Sequence, residues 1–143
     1  MFKETDDGKW YRVSLRIMGD ALPIDEIEDS LGLVATDKNR KGSRHDVTGE
    51  KRRTDVWVWA TPHDSDVPFE KQIGDLLEII EPKKEILKAI LQQPGVEGAL
   101  FLGYGSDNGQ GGAFMSADIL RRIADCGLAL DIDLYPPSGD SQD

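Results

Sequence analysis

With 143 residues, 38% hydrophobic and 31% charged, the chain is long enough for one domain that buries roughly two-thirds of its unfolded surface without covalent staples. Its net charge of −10 argues against nonspecific attraction to nucleic-acid phosphates, and its one cysteine, Cys126, excludes an internal disulfide. No apolar run approaches the roughly 20 residues that span a bilayer, and Met1-Phe2-Lys3-Glu4 begins no apolar signal region, so a cytoplasmic protein with no membrane contact is expected.

Residues 1–9 are polar and are expected to fray. Trp10 to Met18 alternates, with Tyr11, Val13, Leu15 and Ile17 on one side and Trp10, Arg12, Ser14 and Arg16 on the other. That is a half-buried strand. Gly19-Asp20 turns the chain, and Pro23 opens a helix with Asp25, Glu26 and Glu28 near its positive end. Leu22, Ile27 and Leu31 form its buried stripe, and Gly32 ends it.

Residues 35–54 lack apolar periodicity and predict a long loop or mobile hairpin with turns at Gly42 and Gly49. The segment from Lys38 to Arg53 is a basic island: Lys38, Arg40, Lys41, Arg44, Lys51, Arg52 and Arg53 against Asp46 and Glu50, a formal +5. The rest of the chain carries −15. Charge separated in this way makes a dipole that orients partners.

Asp55 to Thr61 alternates again, with Val56, Val58 and Ala60 assigned to one side and Asp55, Trp57 and Trp59 to the other, and Pro62 stops it. Pro68 starts a helix whose Ile73, Leu76, Leu77 and Ile80 follow helical spacing. Pro82 must break or kink it before Ile86, Leu87, Ile90 and Leu91 continue the stripe. After Pro94-Gly95, Ala99 to Tyr104 is a third strand, and Gly103 to Gly112 is glycine-rich. Ser116 caps a last helix with Ile119, Leu120 and Ile123 inward and Gly127 at its end. Leu128 to Tyr135 is a fourth strand, with Leu128, Leu130, Ile132 and Leu134 in, Asp131 and Asp133 out; residues 137–143 are a polar tail.

The order β-α-β-α-β-α-β predicts a single α+β domain over residues 1–143. We expect a two-layer sandwich with a four-stranded, largely antiparallel sheet and helices on one face. The face away from the helices is then expected to present Arg12, Arg16, Trp57, Trp59, Asp131 and Asp133 as a partner-binding surface, since tryptophan and arginine anchor interfaces. The alternative is that a helix or the 36–54 segment covers the two tryptophans as a second small core. Asp131 and Asp133 lie about 6 to 7 Å apart along the strand, a spacing that suits a metal or an acid/base pair, with surface ion pairs to Arg12 or Arg16 as the favoured use.

A second candidate is the glycine-rich stretch, where Ser106, Asp107, Asn108 and Gln110 form a recognition loop. Nucleotide binding is disfavoured there: Asn108 stands where a dinucleotide fingerprint needs glycine, and no Gly-Lys-Ser/Thr is present. The basic island is a third candidate, suited to self-association or to neutralising the acidic body rather than to nucleic acid, because no aromatic residues interleave its charges. His45 and His63 have no partner at metal-ligand spacing, Gly105-Ser106-Asp107 is no nucleophile elbow, and Cys126 reads as a small core residue. No catalytic residue, metal or cofactor is expected.

Several short stretches recur together in a known pattern. They are Leu15-Arg16-Ile17-Met18-Gly19-Asp20, Leu31-Gly32-Leu33, Lys41-Gly42, Trp57, Glu81-Pro82-Lys83, Gly109-Gln110-Gly111-Gly112 and Leu128 to Tyr135. On these the chain, over roughly residues 10 to 135, resembles a bacterial family known as domain of unknown function 4279. The resemblance implies a shared fold and carries over no catalytic residue.

The expected function is a non-catalytic protein-binding module, such as a small acidic inhibitor, immunity or adaptor protein of a bacterium or phage. Its partner is expected to be a protein, basic in character, rather than nucleic acid. The alternative is an enzyme or small-molecule-binding domain that uses the glycine-rich loop and the sheet-face carboxylates.

Overall fold

The computed structural model describes residues 8–39, 54–108 and 111–136. Among them are five strands and four α-helices. The strands are β1 (Trp10–Gly19), β2 (Asp37–Asn39), β3 (Asp55–Ala60), β4 (Glu97–Gly105) and β5 (Ala129–Leu134); the helices are α1 (Ile24–Leu31), α2 (Phe69–Ile80), α3 (Lys84–Leu91) and α4 (Ala117–Asp125). The strands form one sheet in the order β2-β3-β1-β4-β5. Pairings β1–β3, β1–β4 and β2–β3 are antiparallel, and β4–β5 is parallel. The parallel pair needs a crossover, which α4 supplies.

The helices cover one face of this sheet. The core beneath them takes Val13, Leu15 and Ile17 from β1, Leu100 and Leu102 from β4, and Trp57 from β3. The helices add Ile27 and Leu31, then Ile73, Leu76, Leu77 and Ile80, then Leu87, and last Ile119 and Ile123. Cys126 belongs to the same core, where burial pushes its thiol pKa up.

Pro82 acts as expected: α2 ends at Ile80 and a 3-10 turn over Glu81–Lys83 leads into α3. Arg122 of α4 grips Glu81 with two hydrogen bonds of 2.8 Å, and Lys84 meets Asp125 at 2.7 Å. These pairs hold α4 against the break. Ser116 caps α4, its Oγ accepting from the Ile119 N–H at 3.1 Å. Gly32 ends α1 at φ 70°, a conformation that favours glycine.

Several expectations need correction. The sheet has five strands, not four, because Asp37-Lys38-Asn39 pairs antiparallel with β3 at the start of the segment expected to be a long loop or mobile hairpin; the strand is polar, so no periodicity revealed it. Residues 40–53, with most of the basic island, lie outside the described residues, as do 1–7 and 137–143. Gly8 and Lys9 are not frayed: Gly8 is buried and Lys9 donates to the Gly112 carbonyl at 3.4 Å. Leu120, Ile132 and Leu134, expected inward, are substantially exposed; the last two lie on β5, at the edge of the sheet.

The largest correction concerns β3. Trp57 lies opposite Ile17 and Trp59 opposite Leu15, so both tryptophans face the helices. Val56, Val58 and Ala60 lie on the open face instead. Trp57 is fully buried and donates from Nε1 to Glu28 at 3.2 Å. Asp55, assigned to the same side as the tryptophans, is buried there and accepts from the Leu22 N–H at 2.8 Å.

Removing the indole should therefore unfold rather than disarm the protein. Trp57→Ala is expected to lower stability by about 3–5 kcal/mol, read from the urea midpoint. An acid effect is also expected. The Ala35 N–H, ahead of Trp57 and Lys38, holds the Glu28 carboxyl below its ordinary range, and Arg122 does the same for Glu81. Depressed carboxyl pKa values give stability that is complete above the unfolded range, about pH 4 to 5, and lost as pH falls through the folded values. Glu28→Gln with Glu81→Gln should flatten the urea midpoint between about pH 5 and 3.

Candidate functional site

Because the helices use one face, no described element covers the other. β1 puts Trp10, Arg12, Ser14 and Arg16 there, and β4 adds Phe101, Gly103 and Gly105 through direct pairing with Ser14, Arg12 and Trp10. β5 adds Asp131 and Asp133, opposite Phe101 and Gly103. Arg12, Arg16, Asp131 and Asp133 thus stand on the face expected of them, while Trp57 and Trp59 do not.

The arginines are held by rings. The Arg16 guanidinium lies 3.7 Å from the Phe101 ring centre, and that of Arg12 lies 5.0 Å from Trp10. Such stacking suits a planar, weakly hydrated cation. The expected ion pairs with Asp131 or Asp133 do not form: among the described residues neither arginine has a carboxylate within 4.0 Å. The Nε of Arg16 is buried and has no hydrogen-bond partner among the described residues.

Trp10 also meets Tyr135, ring centres 5.0 Å apart. Burial, then a hydrogen bond with Asp133, raises the Tyr135 pKa. The rings can lie flat because β4 carries glycine beneath them. A Cβ at Gly105 would stand 2.4 Å from Trp10 Nε1, whereas one at Gly103 would keep 3.4 Å from Tyr135.

Between these groups runs a groove of about 370 Å³, lined by Arg12, Ser14, Arg16, Val58, Phe101 and Tyr135 and also by His63, Ser65 and Gln72. His63 Nε2 meets Asp75 at 2.9 Å. Burial works to raise the Asp75 pKa, but Lys71 and His63 outweigh it and hold it low. Gln72, buried on α2, donates to the carbonyls of Tyr11 and Val67 and accepts from Thr61, which fixes the groove floor to the β3–α2 connection.

The glycine-rich stretch contributes little to this groove. Its first residues, Gly103 to Gly105, belong to β4. Ser106 is buried and donates to Asn108 at 3.3 Å, and the Asp107 carboxylate packs over Gly8. None of the three lines the groove, and Gln110 lies outside the described residues. Of the basic island, Lys38 is described and pairs with Glu28 at 3.3 Å, a local neutralisation of the acidic body. Arg40, Lys41, Arg44, Lys51, Arg52 and Arg53 lie outside the described residues. Among the described residues no group of three or more His, Cys, Asp or Glu is placed to hold a metal, and no helix is long and apolar enough to cross a membrane.

Sequence reasoning placed Trp10 on this face without assigning it a role, and it missed Phe101, Tyr135 and His63. The signal for Phe101 was available in the β1–β4 alternation, since its neighbours Leu100 and Leu102 are core residues. His63 follows Pro62 in a loop, and no pattern marks a loop residue as part of a groove.

The fold and the groove define a one-sided α+β sandwich with an open, arginine-bearing sheet face. The profile of the family described as Domain of unknown function (DUF4279) matches residues 9–137, and the chain belongs to that family. No curated protein and no solved structure matches the chain.

The glycines under the rings give a paired test. Gly105→Ala should displace Trp10, shifting its emission and near-UV circular dichroism and lowering stability by about 1–3 kcal/mol. Gly103→Ala should leave the tryptophan spectra unchanged.

Proposed function

We propose that the protein is a non-catalytic protein-binding module, an inhibitor, immunity or adaptor type of domain, whose contact surface is the open sheet face. One observation carries the reading: two arginines, stacked on rings and without ion pairs among the described residues, line a groove on the uncovered side of an otherwise acidic protein. Arginine and aromatic residues in a partly desolvated depression are the composition of interface anchors. The tryptophans assigned this role from sequence, Trp57 and Trp59, give way to Trp10, Phe101 and Tyr135.

A second reading, a small-molecule site, is supported by the size of the groove, which falls at the lower end of the range for ligand pockets, about 300–1,000 Å³. The His63–Asp75 pair adds a polar group with a fixed orientation. Asp107 and Asn108 have no part in it.

Affinity capture at moderate salt tests the first reading with three proteins. The wild type and Ala89→Glu, an exposed position on α3, should retain the same stoichiometric protein. Arg12→Glu with Arg16→Glu, shown folded by its thermal melt, should lose it at least tenfold. Equal retention by all three would move the contact surface elsewhere.

A further inference from the structure

The open face has a more specific chemistry than protein binding in general. Arg16 is the centre of it. Its guanidinium carbon lies over the Phe101 ring, 3.7 Å from the ring centre, a contact that restrains the side chain. The Nε–H is one of the two donors on the side of the fork, and it is buried without a partner among the described residues. With Nε out of reach of solvent, the terminal N–H groups of Arg16, which have no partner among the described residues, are the donors left for a planar acceptor that enters the groove. Four residues along the same strand, Arg12 lines the same groove and is stacked on Trp10. Two cations without carboxylate partners among the described residues thus share one depression.

Two anion types match an arginine fork, carboxylate and phosphate. The surroundings discriminate between them. Asp131 and Asp133 stand on the same face, one strand beyond Phe101 and Gly103. Strands lie about 4.8 Å apart, so these carboxylates are about 10 Å from β1, inside or near one Debye length at physiological salt. They penalise a dianion more than a monoanion. The groove wall is also apolar along Val58 and the Tyr135 ring, and among the described residues it carries no lysine. A single carboxylate on an otherwise uncharged backbone meets these conditions better than a phosphate does.

We infer that the groove receives the side-chain carboxylate of an acidic peptide segment of the partner, with Arg16 as its bidentate donor and Arg12 as the adjoining cation. This rests on the open face being the contact surface, and it reverses the partner charge expected from the net charge of −10. Screening makes local charge decisive: the acidic bulk acts weakly beyond a Debye length, whereas a stacked, half-buried guanidinium acts at contact.

Two measurements on the full chain test it. In the first, the Nε–H resonances of the ¹⁵N-labelled wild type are followed during titration with N-acetyl-glutamate N-methylamide, N-acetyl-lysine N-methylamide and inorganic phosphate. The Arg16 resonance is expected to shift saturably with the glutamate derivative, at a lower concentration than with phosphate, and not with the lysine derivative. In the second, a random peptide library displayed on phage is selected against the wild type. An Asp or Glu at one fixed position is expected, with binding weakened at least tenfold by Arg16→Gln and by Arg16→Lys, since lysine keeps the charge and loses the fork. Phosphate acting at the lower concentration, or selected peptides that bind the open face without a fixed acidic residue, would overturn the carboxylate and leave the binding module standing. No shift of any open-face resonance, with no peptide selected, would overturn both.

Discussion

All four helices lie on one side of the sheet, and most of the molecule's character follows from that asymmetry. Each strand has to supply apolar side chains to a single face, so the alternation of Tyr11, Val13, Leu15 and Ile17 with Trp10, Arg12, Ser14 and Arg16 is a requirement of the packing. The helices meet the same demand with one stripe each, and the Glu81–Arg122 and Lys84–Asp125 pairs sit at the edge of the layer, where salt bridges are worth at most about 1 kcal/mol. The layer is therefore held chiefly by burial, with Leu15, Ile17, Trp57, Leu76, Leu77 and Leu100 excluded from water.

A sheet face without a second layer still has to manage its own surface. Here it does so with flat groups laid over the strands rather than with opposite charges placed side by side. Arg16 covers Phe101, Arg12 covers Trp10, and Tyr135 closes against Trp10. The glycines of β4 make this possible, because any side chain at 105 would occupy the plane of the indole. The result keeps cations and carboxylates on one face without joining them. A surface neutralised internally would have no groups to offer a partner.

How much of this was legible from the residues differs from strand to strand, for a physical reason. In β1 the alternation has a sign, because arginines at 12 and 16 mark the wet side, and its placement is correct. In β3 both sides are apolar: Val56, Val58 and Ala60 against Trp57 and Trp59. Period 2 then specifies that the strand has two faces without saying which is inner. The one charged residue, Asp55, pointed to the wrong answer, since it is buried at the strand end to accept the Leu22 N–H. β2 escaped because Asp37-Lys38-Asn39 carries no apolar residue, its pairing being a backbone matter. The helix boundaries, the Ser116 cap and the break at Pro82 were legible because each depends on local chemistry. The groove was only partly so: the arginines and Trp10 belong to one strand, but Phe101, which Arg16 covers, comes from β4, and Tyr135, which meets Trp10, from beyond β5.

The sheet order also has a temporal meaning. β1 is the first strand in the chain and the central one in the sheet, flanked by β3 and β4. Its partners on β4 lie about 80 to 95 residues downstream, from Ile17 with Gly98 to Trp10 with Gly105. On the ribosome, β1 leaves the exit tunnel long before β4 is made, with one edge unpaired and Leu15 and Ile17 uncovered. Non-local pairing of this kind slows folding and prolongs the exposure of sticky intermediates. The arginines at positions 12 and 16 then act as gatekeepers during synthesis, interrupting an otherwise apolar strand until its second neighbour arrives.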